Sequence, residues 1–230
     1  MIDFHSHILP GIDDGSRSTE ESVAMLQALA KQGIETVVAT PHFYADETSV
    51  SAFLEQRDAA VNAIADAAAS ECPQWIVGAE VLYYPGISRL QGLELLKLGE
   101  SKLLLLEMPV EKWTDYTVRE VAEVAASPGI KVCLAHIERY LADQSDKTWD
   151  RLYESGILMQ SNASFFLGFS TKRKAMRMLS DGRIHLLGSD CHNLTNRPPR
   201  IGEAYTAIGK KLGEAFVHQM CELGNHLLSH

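Results

Sequence analysis

Short apolar runs alternate along the chain with longer amphipathic stretches, a pattern that predicts strands and helices in alternation. Strands are expected at residues 1–4, 36–39, 75–78, 102–107, 132–135, 158–160 and 184–188. The first helix is signalled by Ser18-Thr19-Glu20-Glu21, an N-cap followed by an acidic first turn. Its apolar stripe of Val23, Leu26, Leu29 and Ala30 runs up to Gly33. Further helices are expected over the alanine-rich 51–69, over 115–126, 147–154 and 172–180, and over most of 201–228. Repeated strand–helix units imply a parallel sheet covered by helices. With seven strand candidates and no GxGxxG turn after any of them, a barrel is favoured over a doubly wound sheet. The 230 residues suit one domain spanning 1–230.

Polar residues accumulate where those strands end. The first strand runs into His5-Ser6-His7, the second into Thr40-Pro41-His42 and the third into Gly78-Ala79-Glu80. The fourth closes on Glu107, the fifth on His136 and the last on Ser189-Asp190-Cys191-His192, while Asp13-Asp14 sits in the first loop. The C-terminal ends of strands in an α/β barrel share one face, on which active sites are built. Carboxylates gathered on one rim repel one another unless cations or protons intervene. His5 and His7, two apart on an extended segment, point the same way and can serve one ion, and Asp190 and His192 repeat that spacing.

Composition narrows the setting. The formal charge is −9 and no basic patch stands out, which argues against a nucleic-acid or anionic-membrane partner. Cys72, Cys133, Cys191 and Cys221 form no CxxC pair, so reduced thiols in a cytoplasm are expected. No basic leader or membrane-length apolar run is visible, which also predicts a cytoplasmic protein without membrane insertion.

Imidazole with carboxylate and no thiolate suits Mn²⁺, Fe or Zn²⁺ better than Mg²⁺ or Ca²⁺ alone. His5, His7, His42, Glu80, Glu107, His136, Asp190 and His192, together with an aspartate from Asp13-Asp14, exceed what one ion binds, so two to three ions are expected. Ions spaced ~3.5–4 Å apart are the usual clamp for phosphoester hydrolysis. His185 alternates with apolar neighbours and reads as a packed strand residue, and His218, His226 and His230 read as surface or tail residues.

Assembled, these segments resemble the PHP (polymerase and histidinol phosphatase) superfamily, and within it the bacterial manganese-dependent tyrosine-protein phosphatases of capsular and exopolysaccharide loci. The matching segments are IDFHSHILPGIDDGS from Ile2, TPHF from Thr40, GAEVLYYP from Gly78 and LLEMP from Leu105. AHIERY from Ala135, QSNASFF from Gln160 and GSDCHNLTNRPP from Gly188 follow in the same order. The resemblance implies a distorted (β/α)₇ TIM-like barrel of the PHP type and a trinuclear manganese site on His5, His7, Asp14, His42, Glu80, Glu107, His136, Asp190 and His192. It implies one ion on His5, His7, Asp190 and a glutamate, a second on Glu107 and His136 with Glu80 bridging, and a third on Asp14, His42 and His192. Asp13 is the neighbour that spacing leaves open in place of Asp14. The family's C-terminal Asn-Pro is absent here, where Gly224-Asn225-His226 stands instead, a departure that bears on oligomer contacts.

The implied reaction is phosphotyrosine hydrolysis by a metal-activated hydroxide, on the tail of a bacterial tyrosine autokinase that regulates capsular or exopolysaccharide synthesis. Arg139 and Arg197 are the candidate catalytic forks for phosphate, and Asn162 and Ser164 are expected to orient ligands from behind. Alternative readings are a PHP phosphoesterase for a small phosphomonoester such as histidinol phosphate, and a non-catalytic, metal-stabilised phosphotyrosine-binding module. Cys191 through Arg197 also fits the C-x₅-R spacing of cysteine-dependent phosphatases. That loop lacks glycines to wrap phosphate, and Pro198 stands where Ser or Thr is needed, so this mechanism is rejected.

Overall fold

The computed structural model describes residues 1–65, 67, 68 and 72–229. Nine strands appear among the described residues: β1 (Ile2–Ser6), β2 (Thr36–Ala39), β3 (His42–Phe43), β4 (Gln74–Val77), β5 (Glu80–Leu82), β6 (Leu103–Glu107), β7 (Lys131–Leu134), β8 (Leu158–Asn162) and β9 (Leu186–Gly188). They pair in the orders β1-β2-β4 and β3-β5-β6-β7-β8-β9, every pair parallel. β2 and β3 are one stave broken at Thr40-Pro41, and β4 and β5 are one stave broken at Gly78-Ala79. The breaks coincide, and Glu80 N still donates to Pro41 O across them at 3.0 Å. Asp190 N donates to His5 O at 2.8 Å and His7 N to Cys191 O at 2.9 Å, which joins the end of β9 to β1. Seven staves therefore close a ring, the distorted (β/α)₇ barrel expected.

Two expectations are corrected. His42 and Glu80 do not trail off their strands but open the short continuations β3 and β5, because the chain bends at the breaks and resumes pairing, His42 against Glu80. The last helical region is two helices, α7 (Ile201–Leu212) and α8 (Glu214–Ser229). Gly213 separates them at φ 97°, a conformation that favours glycine. The other long helices follow the sequence reading: α1 (Thr19–Ala30), α2 (Val50–Ala65), α3 (Asp115–Ala125), α4 (Asp146–Glu154) and α6 (Lys172–Ser180). Ser18 caps α1 by accepting from Glu21 N. The expected end of the second helix at residue 69 lies outside the described residues. The short α5 (Ala163–Leu167) and two 3₁₀ turns at Ile87–Arg89 and Leu93–Leu96 lack the length of apolar periodicity that would announce them.

Strand alternation divides the core in two. Val37, Ala39, Leu104, Leu106, Val132 and Leu134 belong to the layer shared with the helices. Ile2, Phe4, Val38, Leu103, Leu105, Cys133, Leu158 and Leu186 form a second cluster, with Leu227 and Leu228 of α8 packed against it. Residues from six strands around a closed ring can meet only in its lumen. The same two-residue step carries Leu103 and Leu105 up to Glu107, Leu158 to Gln160 and Asn162, and Leu186 to Gly188 and Asp190. The lumen is thus apolar below and polar at its mouth.

His185 is half-buried at the foot of β9, as a packed strand histidine should be, and its Nδ1 accepts from Met159 N at 3.0 Å. Burial and nearby Lys131 lower its pKa, so the folded state favours the neutral ring. Stability from this bond is present above pH ~6.5 and is lost as pH falls towards the folded-state value. We expect His185→Asn, whose Oδ1 can accept the same bond at any pH, to flatten the fall in urea stability between pH 7.5 and 5.5 by about 1 kcal/mol, the size of one hydrogen bond. Parallel wild-type and variant pH profiles would exclude that role.

Candidate metal centre

All nine expected ligands stand at the mouth of the barrel, delivered by different elements. β1 supplies His5 and, one residue past its end, His7; β3 and β5 supply His42 and Glu80; β6 supplies Glu107. His136 follows β7 at φ 31° and Asp190 follows β9 at φ 54°, both in the left-handed region that L side chains seldom adopt. His136 N is held there by Gln160 Oε1 at 2.7 Å and Asp190 N by His5 O. The bend after His136 starts the turn Ile137–Arg139, which returns Arg139 to the rim. Gly188 is required by proximity, since a Cβ there would meet His5 Cβ at 2.4 Å.

Hydrogen bonds behind the imidazoles decide which nitrogen faces the centre. Gln160 Oε1, already accepting from a backbone N–H, can only accept from His5 Nδ1 at 3.3 Å. Asp13 Oδ2 takes His7 Nδ1 at 2.7 Å, and the Asp190 carbonyl takes His192 Nδ1 at 3.1 Å. All three rings therefore turn an Nε2 lone pair inward. His5 Nε2 and His7 Nε2 lie 3.1 Å apart, and His192 Nε2 lies 3.1 Å from Asp14 Oδ1. Lone pairs so aimed at one another and at a carboxylate repel unless a cation stands between them. The buried atoms without a hydrogen bond point the same way: of five among the described residues, His42 Nδ1, Glu80 Oε2 and His192 Nε2 belong to this centre. His42 Nδ1 and Glu80 Oε2 approach to 3.0 Å, outside hydrogen-bond geometry. The donor set fits divalent metal.

Glu80 is the hub. Its Oε2 lies 3.1 Å from His5, 3.3 Å from His7 and 3.0 Å from His42, and its Oε1 lies 2.8 Å from His136. Burial alone would raise its pKa; the imidazoles of His5, His136 and His42 outweigh it and hold the carboxyl well below its usual range. Asp190 is likewise depressed by His5 and His7 against its burial. His7 moves the other way: burial pulls it down, but Asp13, Asp190 and Glu80 prevail and push it well above its usual value. His136 rises to about 9, Glu107 and Glu80 overcoming burial. A proton on His7 and a divalent ion beside it answer the same surplus, five carboxylates against two guanidiniums.

Three groups of donors lie close enough to share ions: His5, His7 and Asp190; His7, Asp14, His42 and His192; and His42, Glu80 and Glu107. His136 Nε2 adjoins the last, 3.4 Å from Glu107 Oε1. Asp13, which spacing left open, faces away as the partner of His7 and of His42 N, and its pKa is lowered to about 2 by His7 despite burial. The exposed Asp14 faces the centre.

Arg139 and Arg197 stand on the rim, each just over a third exposed, and grip the two oxygens of Asp190 at 2.6 Å each. Asn162 Nδ2 donates to Asp190 Oδ2 at 2.8 Å, the supporting role expected of it. Ser164 does not share that role: it is exposed on the rim, and its hydroxyl makes no hydrogen bond to the ligand set. Cys191 is fully buried and its thiol pKa is raised by burial, which removes it as a nucleophile. Sequence reasoning missed four supports. Gln160 orients His5, the Tyr140 hydroxyl lies 3.0 Å from His136 Nδ1, and buried Asp3 accepts from Ser189 N. Asn193 Oδ1 accepts from Thr195, Asn196 and Arg197 N, folding the loop that presents Arg197. A buried-polar pattern inside strands was the available signal for Asp3 and Gln160.

The family profile described as capsular polysaccharide synthesis, CpsB/CapC, matches residues 1–227. The tyrosine-protein phosphatase CpsB of Streptococcus pneumoniae is 33% identical over 93% of this chain and 91% of its own length. The tyrosine-protein phosphatase YwqE of Bacillus subtilis is 29% identical over 99% of this chain and 91% of its own. A crystal structure from work on YwqE and CpsB, described as unique metal-dependent tyrosine phosphatases, superposes with a TM-score of 0.84 at 26% identity, covering 100% of this chain and 94% of that one. A histidinol phosphate phosphatase from Lactococcus lactis, at 12% identity and a TM-score of 0.56 over 95% of this chain and 93% of its own, shares the fold.

Removing the carboxylate behind His7 should loosen the metal without touching a ligand. We expect Asp13→Ala to weaken Mn²⁺ binding about 10–100-fold, measured by calorimetric titration of the metal-stripped protein. Unchanged affinity would remove Asp13 from this role.

Proposed function

The chain belongs to the CpsB/CapC family of capsular polysaccharide synthesis, and from that premise we propose that it is a metal-dependent protein-tyrosine phosphatase. The observation that carries this is the mouth of the barrel, where inward lone pairs of His5, His7 and His192 meet the carboxylates of Glu80, Asp190 and Asp14 under two partly exposed arginines. His5, His7, Asp14, His42, Glu80, Glu107, His136, Asp190 and His192 would hold two to three ions, with Glu80 shared. Imidazole and carboxylate without thiolate support manganese, with iron or zinc as substitutes. Because the set runs from residue 5 to residue 192, the chain acts as one catalytic unit.

Bound metal supplies Lewis acidity, making a nucleophile from water at neutral pH and neutralising phosphate oxygens. The protein's own groups do the rest. Asp13, Gln160 and Tyr140 hold the imidazoles in orientation. Arg139 and Arg197 present planar forks to the phosphate. Each guanidinium is just over a third exposed, so it can meet a dianionic ligand in the mouth while it stays beside Asp190. A phenol leaves with a pKa of about 10, so no dedicated general acid is required. Tyr44 stacks on His42 at 5.2 Å and gives the mouth an aromatic wall.

No helix among the described residues is long and apolar enough to cross a membrane. We place the enzyme in the cytoplasm, acting on the phosphotyrosine tail of a bacterial tyrosine kinase that controls polysaccharide assembly. Action on histidinol phosphate, or phosphotyrosine binding without hydrolysis, would each give a different result in the following assays.

Chelation should abolish hydrolysis of a phosphotyrosyl peptide and Mn²⁺ should restore it, with two to three metals per chain by elemental analysis. kcat/KM should favour the peptide over histidinol phosphate; the reverse order would assign the small-molecule reading. Arg139→Ala should lower kcat about 10²-fold, the usual cost of one transition-state donor, while metal content stays at the wild-type level. Full activity without metal would refute the proposal.

A further inference from the structure

Outside the metal centre, α6 and α7 enclose a groove of about 660 Å³. Its apolar floor is Phe166, Met176, Ala207 and Leu212. Its walls carry Lys172, Arg173, Arg177, Lys210 and Lys211, and no acidic side chain lines it. Arg177 reaches Asp181 at 3.6 Å; the other four form no ion pair among the described residues. In a chain of formal charge −9, five cations around one groove are a local reversal of sign. Beside it Phe169 is 93% exposed, with Lys172 Nζ 5.9 Å from its ring centre.

The groove adjoins the catalytic rim through single elements. α5 contributes Ala163 and Ser164 to the rim cavity that holds Arg139, Asp190 and Arg197, and Phe166 to the groove floor. Arg200, immediately before α7, lines the rim cavity, while Lys210 and Lys211 near the end of that helix line the groove. Ten helical residues rise about 15 Å, a distance that about five extended residues span.

We propose, on the phosphatase reading above, that this groove docks an acidic segment of the phosphorylated protein substrate, with apolar side chains on the floor and carboxylates between the lysines and arginines. The segment lies about five or more residues from the phosphotyrosine in the mouth. Charge complementarity selects an acidic ligand. The apolar floor selects a polypeptide over a phosphodiester chain, and the concave form suits a peptide better than a flat bilayer. The groove thus separates recognition of the protein from chemistry at the phosphate.

The test compares a short phosphotyrosyl peptide with the same peptide carrying a Leu/Asp/Glu-rich extension that begins five residues away. The extension should lower KM about 10-fold with kcat unchanged, an advantage lost at ~0.5 M salt, where the Debye length falls to a few ångströms. Lys210→Glu/Lys211→Glu and, separately, Arg173→Glu should erase the gain while leaving the short peptide's kcat/KM and the metal content at wild-type values. The labelled extension alone, without phosphotyrosine, should bind wild type and not the reversed variants in fluorescence anisotropy. That arm reads the groove even if no aryl phosphate is hydrolysed, which separates failure of docking from failure of the phosphatase reading. Equal KM for the two peptides with no binding of the labelled extension would overturn the proposal. So would binding to phosphatidylglycerol vesicles, or to single-stranded nucleic acid, that needs the same cations while the extension gives no gain.

Discussion

The centre of this protein is organised by like-charge repulsion that only a cation relieves. Asp13, Asp14, Glu80, Glu107 and Asp190 crowd one mouth, and His5, His7 and His192 are forced by their rear hydrogen bonds to aim lone pairs inward. Two imidazole nitrogens at 3.1 Å cannot both be bare without cost. Burial raises that cost, because little water reaches Glu80 or His7 to screen the charges. Protons can relieve part of it, as the raised His7 and His136 indicate. Metal relieves it without occupying the lone pairs with hydrogen, which is the basis for reading the cluster as a metal centre rather than as a buried salt-bridge network.

The barrel exists to hold that arrangement still. Its lower lumen is packed with aliphatic side chains that α8 covers, and the strand alternation that puts them there puts Glu107, Gln160, Asn162 and Asp190 one step higher. Distortion is confined to where ligands must be aimed: the paired breaks before His42 and Glu80, and the left-handed residues His136 and Asp190. Strain of this kind costs about 1–3 kcal/mol per residue and persists because Gln160 Oε1 holds His136 N and His5 O holds Asp190 N. Gly188 belongs to the same design, since only the lack of a Cβ lets β9 approach His5 closely enough to close the ring.

Asp190 joins the histidine cluster to the two rim arginines. One carboxylate faces His5, His7 and His192 on its inner side and takes Arg139, Arg197 and Asn162 on its outer side. The two guanidiniums are therefore held in place by a carboxylate of the same donor cluster. Cys191, next in sequence, is sealed in the core, so the C-x₅-R spacing is a by-product of placing Asp190, His192 and Arg197 on one loop.

Much of this was readable from residue order. Parallel α/β architecture, seven staves and eight of the nine donor residues follow from apolar periodicity and from ligand-type residues at strand ends, because both depend on neighbours in sequence. Residue order alone could not separate Asp13 from Asp14: adjacent carboxylates differ only in which way a loop turns them, and the turn is set by contacts with His7 and with His42 N from distant strands. Nor could it show that Ser164 stays on the rim, that the stave breaks align, or that α5 joins a basic groove to the catalytic mouth. The groove cations fall at positions 172–177 and 210–211, too dispersed to read as a patch until α6 and α7 pack side by side. The run of ligand-type residues at successive strand ends announces a metal site, as His5 and His7 alone do not; the three-dimensional closure of β9 on β1 decides that their nitrogens face each other, because a lone pair acquires a direction only when its partners are in place.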